Sequence, residues 1–314
     1  MGKVAFIFPG QGAQYIGMGK DLYQEFPEAA GVFDRADRAL GFNLTGIIFE
    51  GPEEKLTETE ITQPAITTVS AAILEIIKKR GLRPDMAAGL SLGEYSALIA
   101  AGSLQFEDAV VLVHKRGKLM QNAVPVNTGT MAAIIGLDKE LVEECCRRAS
   151  NQGVVEPANY NCSCQTAVSG ETKAVAAAVE MAKAMGARRA VMLPVSAPFH
   201  CSLLRPVEEK LEKALEGIEI MDAVIPVIAN VTATEETRSD LIKGNLVKQV
   251  SRPVLWEESV KRMIELGADT FVEIGPGKTL TGFVKKIDKG VRVLNIENLE
   301  SLNNALLELE GVKC

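Results

Sequence analysis

The chain has 314 residues, a net charge of −7, 47% hydrophobic residues and only 5% aromatic ones. That acidity excludes a nucleic-acid coat or an anionic membrane surface as the main partner, and the length suits one large domain or a domain carrying an insert. Six cysteines without a secretion signal argue against a disulfide framework, so the cytoplasm is the expected compartment.

In chain order, "KVAFIFPG" predicts a first buried strand that enters a glycine loop. Its apolar run is too short for a signal peptide, and Phe6 breaks the N-myristoylation pattern. Gly10-Gln11-Gly12 is not a dinucleotide fingerprint, because Tyr15 stands where the third glycine is needed. No Gly-Lys-Ser/Thr follows at phosphate-loop spacing either. "AITTVSAAILEIIKKRG" predicts a helix over 65–81, closed by basic residues and Gly81. "PDMAAGLS" predicts a short strand over 84–91, and "LGEYSALIAAG" a helix that Gly102 closes. No apolar run is long enough to span a bilayer, so no membrane partner is expected.

Between that strand and helix stands Gly89-Leu90-Ser91-Leu92-Gly93, which fits the nucleophile-elbow pattern G-x-S-x-G. The turn is so tight that its flanking residues must lack side chains. Ser91 is thereby pushed out at a helix N-terminus, with the Leu92 amide aimed where an oxyanion would form. A plain glycine turn is the alternative, but the strand before and the helix after favour the elbow. The Gln11 amide, on the neighbouring glycine loop, is the expected second oxyanion donor.

The next helix, "EDAVVLVHKRGKLMQ", carries His114 and Arg116. On a helical wheel His114 lies at the edge of the apolar face, beside Lys115 and Lys118. It reads as a half-exposed surface histidine. Arg116 falls in the middle of the apolar arc, between Leu112 and Leu119. A guanidinium facing the core needs an anionic partner, since unpaired burial costs several kcal/mol or more. Two partners remain open: a protein carboxylate such as Glu94, or a substrate carboxylate held by a bidentate clamp.

From about residue 127 to about residue 194 the pattern changes. Strand "GTMAAIIGL", helix "KELVEECCRRAS", strands "VVEPANYN" and "CQTAVSG", helix "ETKAVAAAVEMAKAMG" and strand "ARRAVMLPV" follow in order. That β-α-β-β-α-β succession is the ferredoxin-like split motif. The expected organisation is an α/β protein: a large subdomain over 1–126 and 195–314 with a parallel sheet, and a ferredoxin-like insert over 127–194. Cys162-Ser163-Cys164 lacks the two-residue gap of a zinc site and has no nearby histidine, so no metal is expected. His200 follows in the loop "SAPFH", ahead of a helix, where catalytic side chains are usually presented. With only two histidines, His200 is the candidate base for Ser91, whose free hydroxyl is a weak nucleophile. "AVIPVIAN" and "ADTFVEIGPG" predict later strands.

Taken together and in order, "FPGQGAQ", "GLSLGEYSAL", "VHKRGKLMQ", "ANYN", "APFHCSLL", "KQVSRPVLW" and "EIGPGKTL" resemble the malonyl-CoA:acyl-carrier-protein transacylase family along essentially the whole chain. The resemblance implies an α/β-hydrolase-like core with a ferredoxin-like insert. It puts the nucleophile on Ser91, the base on His200, the carboxylate-binding arginine on Arg116 and the oxyanion amides on Gln11 and Leu92. It implies that the main-chain carbonyl of Gln249 orients the histidine, and it places Asn159 and Asn161 near the cleft. Leu90 departs from the family, which usually has histidine there. Phe199 is similar to the aromatic of malonyl-selective relatives, whose bulk disfavours an α-methyl branch. The implied partners are malonyl-CoA and acyl carrier protein, the implied setting is fatty acid biosynthesis, and a monomer is expected. No cofactor is implied, since the CoA thioester is substrate. Rivals are a serine hydrolase or thioesterase, an acyltransferase serving a polyketide synthase, and a non-catalytic docking module. A hydrolase would place its acid between Ser and a late His, which the mid-chain His200 does not match.

Overall fold

The computed structural model describes residues 2–125, 127–195 and 197–310. Val126, where the large subdomain was expected to break, and Cys314 lie outside the described residues. Among the described residues ten strands form two sheets: β1 (Lys3–Phe8), β2 (Met86–Gly89), β3 (Gly129–Ile135), β4 (Val155–Cys162), β5 (Gln165–Glu171), β6 (Arg189–Met192), β7 (Val227–Ile228), β8 (Glu235–Glu236), β9 (Ala268–Ile274) and β10 (Arg292–Ile296). The larger sheet has the order β10-β9-β1-β2-β7-β8. Its strands run parallel except for β8, which pairs antiparallel with β7 at the edge. The smaller sheet is antiparallel, in the order β4-β5-β3-β6. The chain is therefore a mixed α/β protein with one mainly parallel and one separate antiparallel sheet.

The central strands are apolar on both faces, as a covered parallel sheet requires. Phe6 and Phe8 of β1 enter one core, while Ala5 and Ile7 enter another on the opposite face. β1 and β2 are in register to their ends, with Phe8 opposite Gly89. Loops leaving the carboxyl ends of these strands therefore share one crevice, the usual ligand position of an open parallel sheet. The loop after β1 carries Gln11 and the loop after β2 carries Ser91.

Two departures from the expected elements bear on the site. The helix expected over 65–81 runs Thr59–Lys79, with Pro64 inside it. Pro64 has no N–H to give to the carbonyl of Glu60 four residues earlier, which would normally end a helix. His114 Nδ1 takes that carbonyl instead, at 2.7 Å. The strand expected over 223–230 shrinks to Val227–Ile228, because Pro226 cannot donate to a ladder. Its carbonyl still accepts from the Ala87 amide, so Asn230 leaves the sheet just past β7.

The helix Thr59–Lys79 is buried along most of its length and packs against the helix Phe106–Gln121. Gly117 makes that close packing possible: a Cβ there would lie 2.6 Å from the Thr59 carbonyl oxygen. The contact sets Gln63 beside Arg116. The antiparallel sheet joins the larger unit along β4. Tyr160 N–H donates to the Val254 carbonyl at 2.9 Å, and Val254 N–H to the Ala158 carbonyl at 2.8 Å. Among the described residues no helix is long and apolar enough to cross a membrane.

Candidate active site

Ser91 sits in the turn between β2 and the helix Gly93–Ala100, at φ 53°. A left-handed non-glycine residue is strained and persists only where its surroundings over-determine it. The flanking glycines make the turn possible. A Cβ on Gly89 would lie 1.9 Å from the Gly93 carbonyl carbon, and one on Gly93 would lie 2.1 Å from the Phe8 carbonyl oxygen. Asn230 then fixes the turn. Its Oδ1 accepts from Ser91 N–H at 2.6 Å, and its Nδ2 donates to the Gly89 carbonyl at 2.6 Å.

The structure brings His200 to Ser91. Ser91 Oγ lies 2.6 Å from His200 Nε2, and His200 Nδ1 lies 2.7 Å from the Gln249 carbonyl oxygen. A carbonyl only accepts, so Nδ1 carries the ring proton and Nε2 is free to accept from the serine hydroxyl. Burial, reinforced by the positive charge of Arg116, pushes the His200 pKa down to about 4 against the opposing pull of the Gln249 carbonyl. The imidazole is therefore neutral at pH 7, the state a base needs. His200 is itself at φ 60°, in the loop ahead of the helix Arg205–Leu215. Glu156 of β4 anchors that loop by accepting from Ser202 N–H at 2.8 Å and Ser202 Oγ at 2.6 Å.

Arg116 is 1% exposed. Its Nη1 donates to Gln63 Oε1 at 2.9 Å, and its Nη2 to Gln249 Oε1 at 2.8 Å and Ser91 Oγ at 3.2 Å. Among the described residues no carboxylate forms an ion pair with it. The expected alternative of an Arg116–Glu94 pair is thus corrected. Glu94 Oε2 accepts from Gln249 Nε2 at 2.7 Å instead, so Gln249 stands between the two. Among the described residues the guanidinium donates to neutral oxygens alone, and the Tyr95 ring lies 5.4 Å away.

These groups open into a cleft of about 290 Å³ between the two sheets. Gln11, Leu90, Ser91, Leu92, Arg116 and His200 line it on the side of the parallel sheet. Asn159, Asn161 and Gln165 line it from the antiparallel side, with Phe199 beside His200. Among the described residues, neither the Gln11 nor the Leu92 amide donates a hydrogen bond, which leaves both open to a ligand oxygen. Leu90 packs partly buried against the apolar side of the site. No three His, Cys, Asp or Glu side chains cluster as metal ligands among the described residues.

Three parts of this constellation escaped the sequence reading: Asn230, Gln63 and the side chain of Gln249. Asn230 was detectable as a polar residue at the carboxyl end of an apolar run; Glu94 was singled out there, but as a partner for Arg116.

The acyl transferase domain family matches residues 5–303. The chain belongs to that family. A family relative, the malonyl CoA-acyl carrier protein transacylase of Bacillus subtilis (strain 168), is 47% identical over 99% of this chain and 98% of its own length. The crystal structure of malonyl CoA-acyl carrier protein transacylase from Clostridium perfringens superposes with a TM-score of 0.96 at 48% identity, covering 99% of this chain and 98% of that one. A chain from the structure of a type II PKS acyl-carrier protein in complex with its malonyl-transacylase superposes at 0.95, with 42% identity and coverage of 98% and 99%.

Proposed function

We propose that this acyltransferase moves a malonyl group from malonyl-CoA to the phosphopantetheine thiol of acyl carrier protein, in fatty acid biosynthesis. The observation that carries the reading is Arg116. A fully buried guanidinium that forms no carboxylate ion pair among the described residues, 3.2 Å from the nucleophile oxygen, matches an acyl group that ends in a carboxylate. The family membership and the relatives' names agree with it.

The chemistry follows from the distances. Ser91 Oγ attacks the thioester carbon while His200 Nε2 takes its proton. The Gln249 carbonyl stabilises the imidazolium that forms. The Gln11 and Leu92 amides hold the oxyanion. As the C–S bond breaks, His200 returns the proton to the CoA sulfur, leaving a malonyl ester on Ser91. The carrier thiol then gives its proton to His200, its sulfur takes the acyl carbon, and Ser91 Oγ regains a proton. No step needs a metal or redox cofactor; CoA enters and leaves as part of the substrate.

The large subdomain, 1–126 and 195–314, is read as α/β-hydrolase-like and 127–194 as a ferredoxin-like insert. The order β4-β5-β3-β6, second-third-first-fourth in the chain, supports the latter. Five free thiols among the described residues support a reducing, cytoplasmic setting. The net charge of −7 argues against a nucleic-acid or anionic membrane partner, and a monomer is the expected assembly. The test is acceptor dependence. Purified protein with malonyl-CoA should form malonyl-carrier when carrier is added and little free malonate without it. Free malonate produced at the same rate with or without carrier would instead mark a hydrolase.

A further inference from the structure

Glu94 lies three residues past the nucleophile and is completely buried. Its Oε2 accepts from two donors at once, Gln249 Nε2 at 2.7 Å and Asn230 N–H at 3.1 Å. Its Oε1 has no hydrogen-bond partner among the described residues. No Lys or Arg forms an ion pair with it among the described residues. Such a group is a poor choice for stability, since an apolar residue of similar volume is often neutral or better. Its two donors show what it does instead.

Gln249 touches every reactive group. Its main-chain carbonyl holds His200, its Oε1 accepts from Arg116, and its Nε2 donates to the Ser91 carbonyl at 2.9 Å. The two ends of its amide are not interchangeable. Turned over, it would set an NH₂ against the guanidinium and an oxygen against the oxygens of Ser91, Glu94 and Asn230. Asn230, the other donor, holds the strand end of the elbow: its side chain accepts from Ser91 N–H and donates to the Gly89 carbonyl. We propose that Glu94 is a positioning residue: its Oε2 fixes the Gln249 amide and the Asn230 backbone, and through them the mutual placement of Ser91, His200 and Arg116. The role rests on acyl transfer at Ser91 and extends it to a residue that touches no substrate. It requires an acceptor oxygen, not a charge. Burial, with the Glu236 carboxyl adding to it, raises the pKa of Glu94 and favours the neutral acid.

The test uses three full-length variants. Glu94→Gln keeps an acceptor oxygen, Glu94→Leu fills the volume without one, and Glu94→Asp draws the carboxyl back by one methylene. Each is assayed for melting temperature, for Ser91 acylation by malonyl-CoA and for Ser91 labelling by a fluorophosphonate, which needs neither clamp nor carrier. Glu94→Gln should react near the wild-type rate with both reagents. Glu94→Leu should remain folded yet react at least about tenfold more slowly with both, as misplaced catalytic groups do. A folded Leu variant at the wild-type rate overturns the proposal, and so does a Gln variant as slow as the Leu one. If the Leu variant does not fold, Glu94→Asp decides: a slowed, folded Asp variant supports the proposal and an unslowed one refutes it. Wild-type protein that takes the fluorophosphonate but not malonyl would sink the acyl-transfer reading and leave the positioning test standing.

Discussion

Removing the Arg116 guanidinium separates a substrate clamp from a structural cation. Arg116→Ala deletes three donated hydrogen bonds, to Gln63, Gln249 and Ser91. Gln63 and Gln249 are then left with buried unpaired amide oxygens, and each orphaned acceptor costs about 1–3 kcal/mol. The melting temperature should fall, so activity must be measured where the variant is shown to be folded. In the malonyl reaction the substrate carboxylate loses a charge-assisted partner worth about 1.5–3 kcal/mol, which is roughly a ten- to hundredfold drop in rate. Acetyl-CoA brings no carboxylate and forfeits no such pair. The assay is a ratio: acetyl over malonyl acylation of Ser91, by quenched-flow mass spectrometry on wild type and variant. It should rise by at least about tenfold in the variant. A ratio unchanged from wild type, in folded protein, would remove Arg116 from substrate recognition and refute the argument from its unpaired charge.

The remaining expectations concern His200, His114 and the carrier. Because the His200 pKa is held down to about 4, kcat/KM for acylation should stay flat from neutral pH to about 5 and fall only as His200 takes up a proton; an acid limb near the ordinary histidine value would show that burial does not act as described. The same depression links to stability: the unfolded chain protonates below about 6.5 while the native state resists, so this contribution is intact above 6.5 and is lost as pH falls toward 4. Thermal melts of wild type and His200→Ala across that window should diverge on the acid side. His114→Ala leaves the Glu60 carbonyl without a donor next to Pro64 and should cost about 1 kcal/mol of stability with acylation near normal; a severe loss of acylation in folded protein would mean that the wrong histidine was assigned as base. Lys285 and Lys286 are exposed at the end of the helix Thr279–Ile287, whose Thr279, Leu280 and Phe283 line the cleft. Charge reversal at both should weaken transfer to acyl carrier protein in a salt-dependent way, with serine acylation intact. The same substitutions at Arg188 and Arg189 test a second exposed basic pair, and equal loss of both half-reactions would speak against docking at either.

Ser91 and Arg116 were legible in the sequence because local rules expose them. The elbow is a five-residue pattern with its own steric logic, and Arg116 stands out as a charge where the wheel demands an apolar residue. His200 followed by elimination in a chain with two histidines. The supporting polar groups were not legible, because their meaning lies in long-range convergence: Asn230 reaches Ser91 across 139 residues and Gln249 reaches Glu94 across 155. Local rules also failed where a distant partner repaired a defect. Pro64 should have stopped a helix, yet the His114 ring fills the place of its missing N–H. The order of elements in the insert was readable from periodicity alone. The strand over 223–230 was overestimated because Pro226 interrupts an otherwise apolar run.

The central claim is that Ser91 carries malonyl as a covalent ester. Protein incubated with malonyl-CoA alone, then weighed intact and mapped by peptide mass, should carry one malonyl group on Ser91. Ser91→Ala should carry none, and addition of acyl carrier protein should discharge the ester onto the carrier thiol. Undiminished labelling of Ser91→Ala, or an adduct on wild type that carrier cannot remove, would contradict the account.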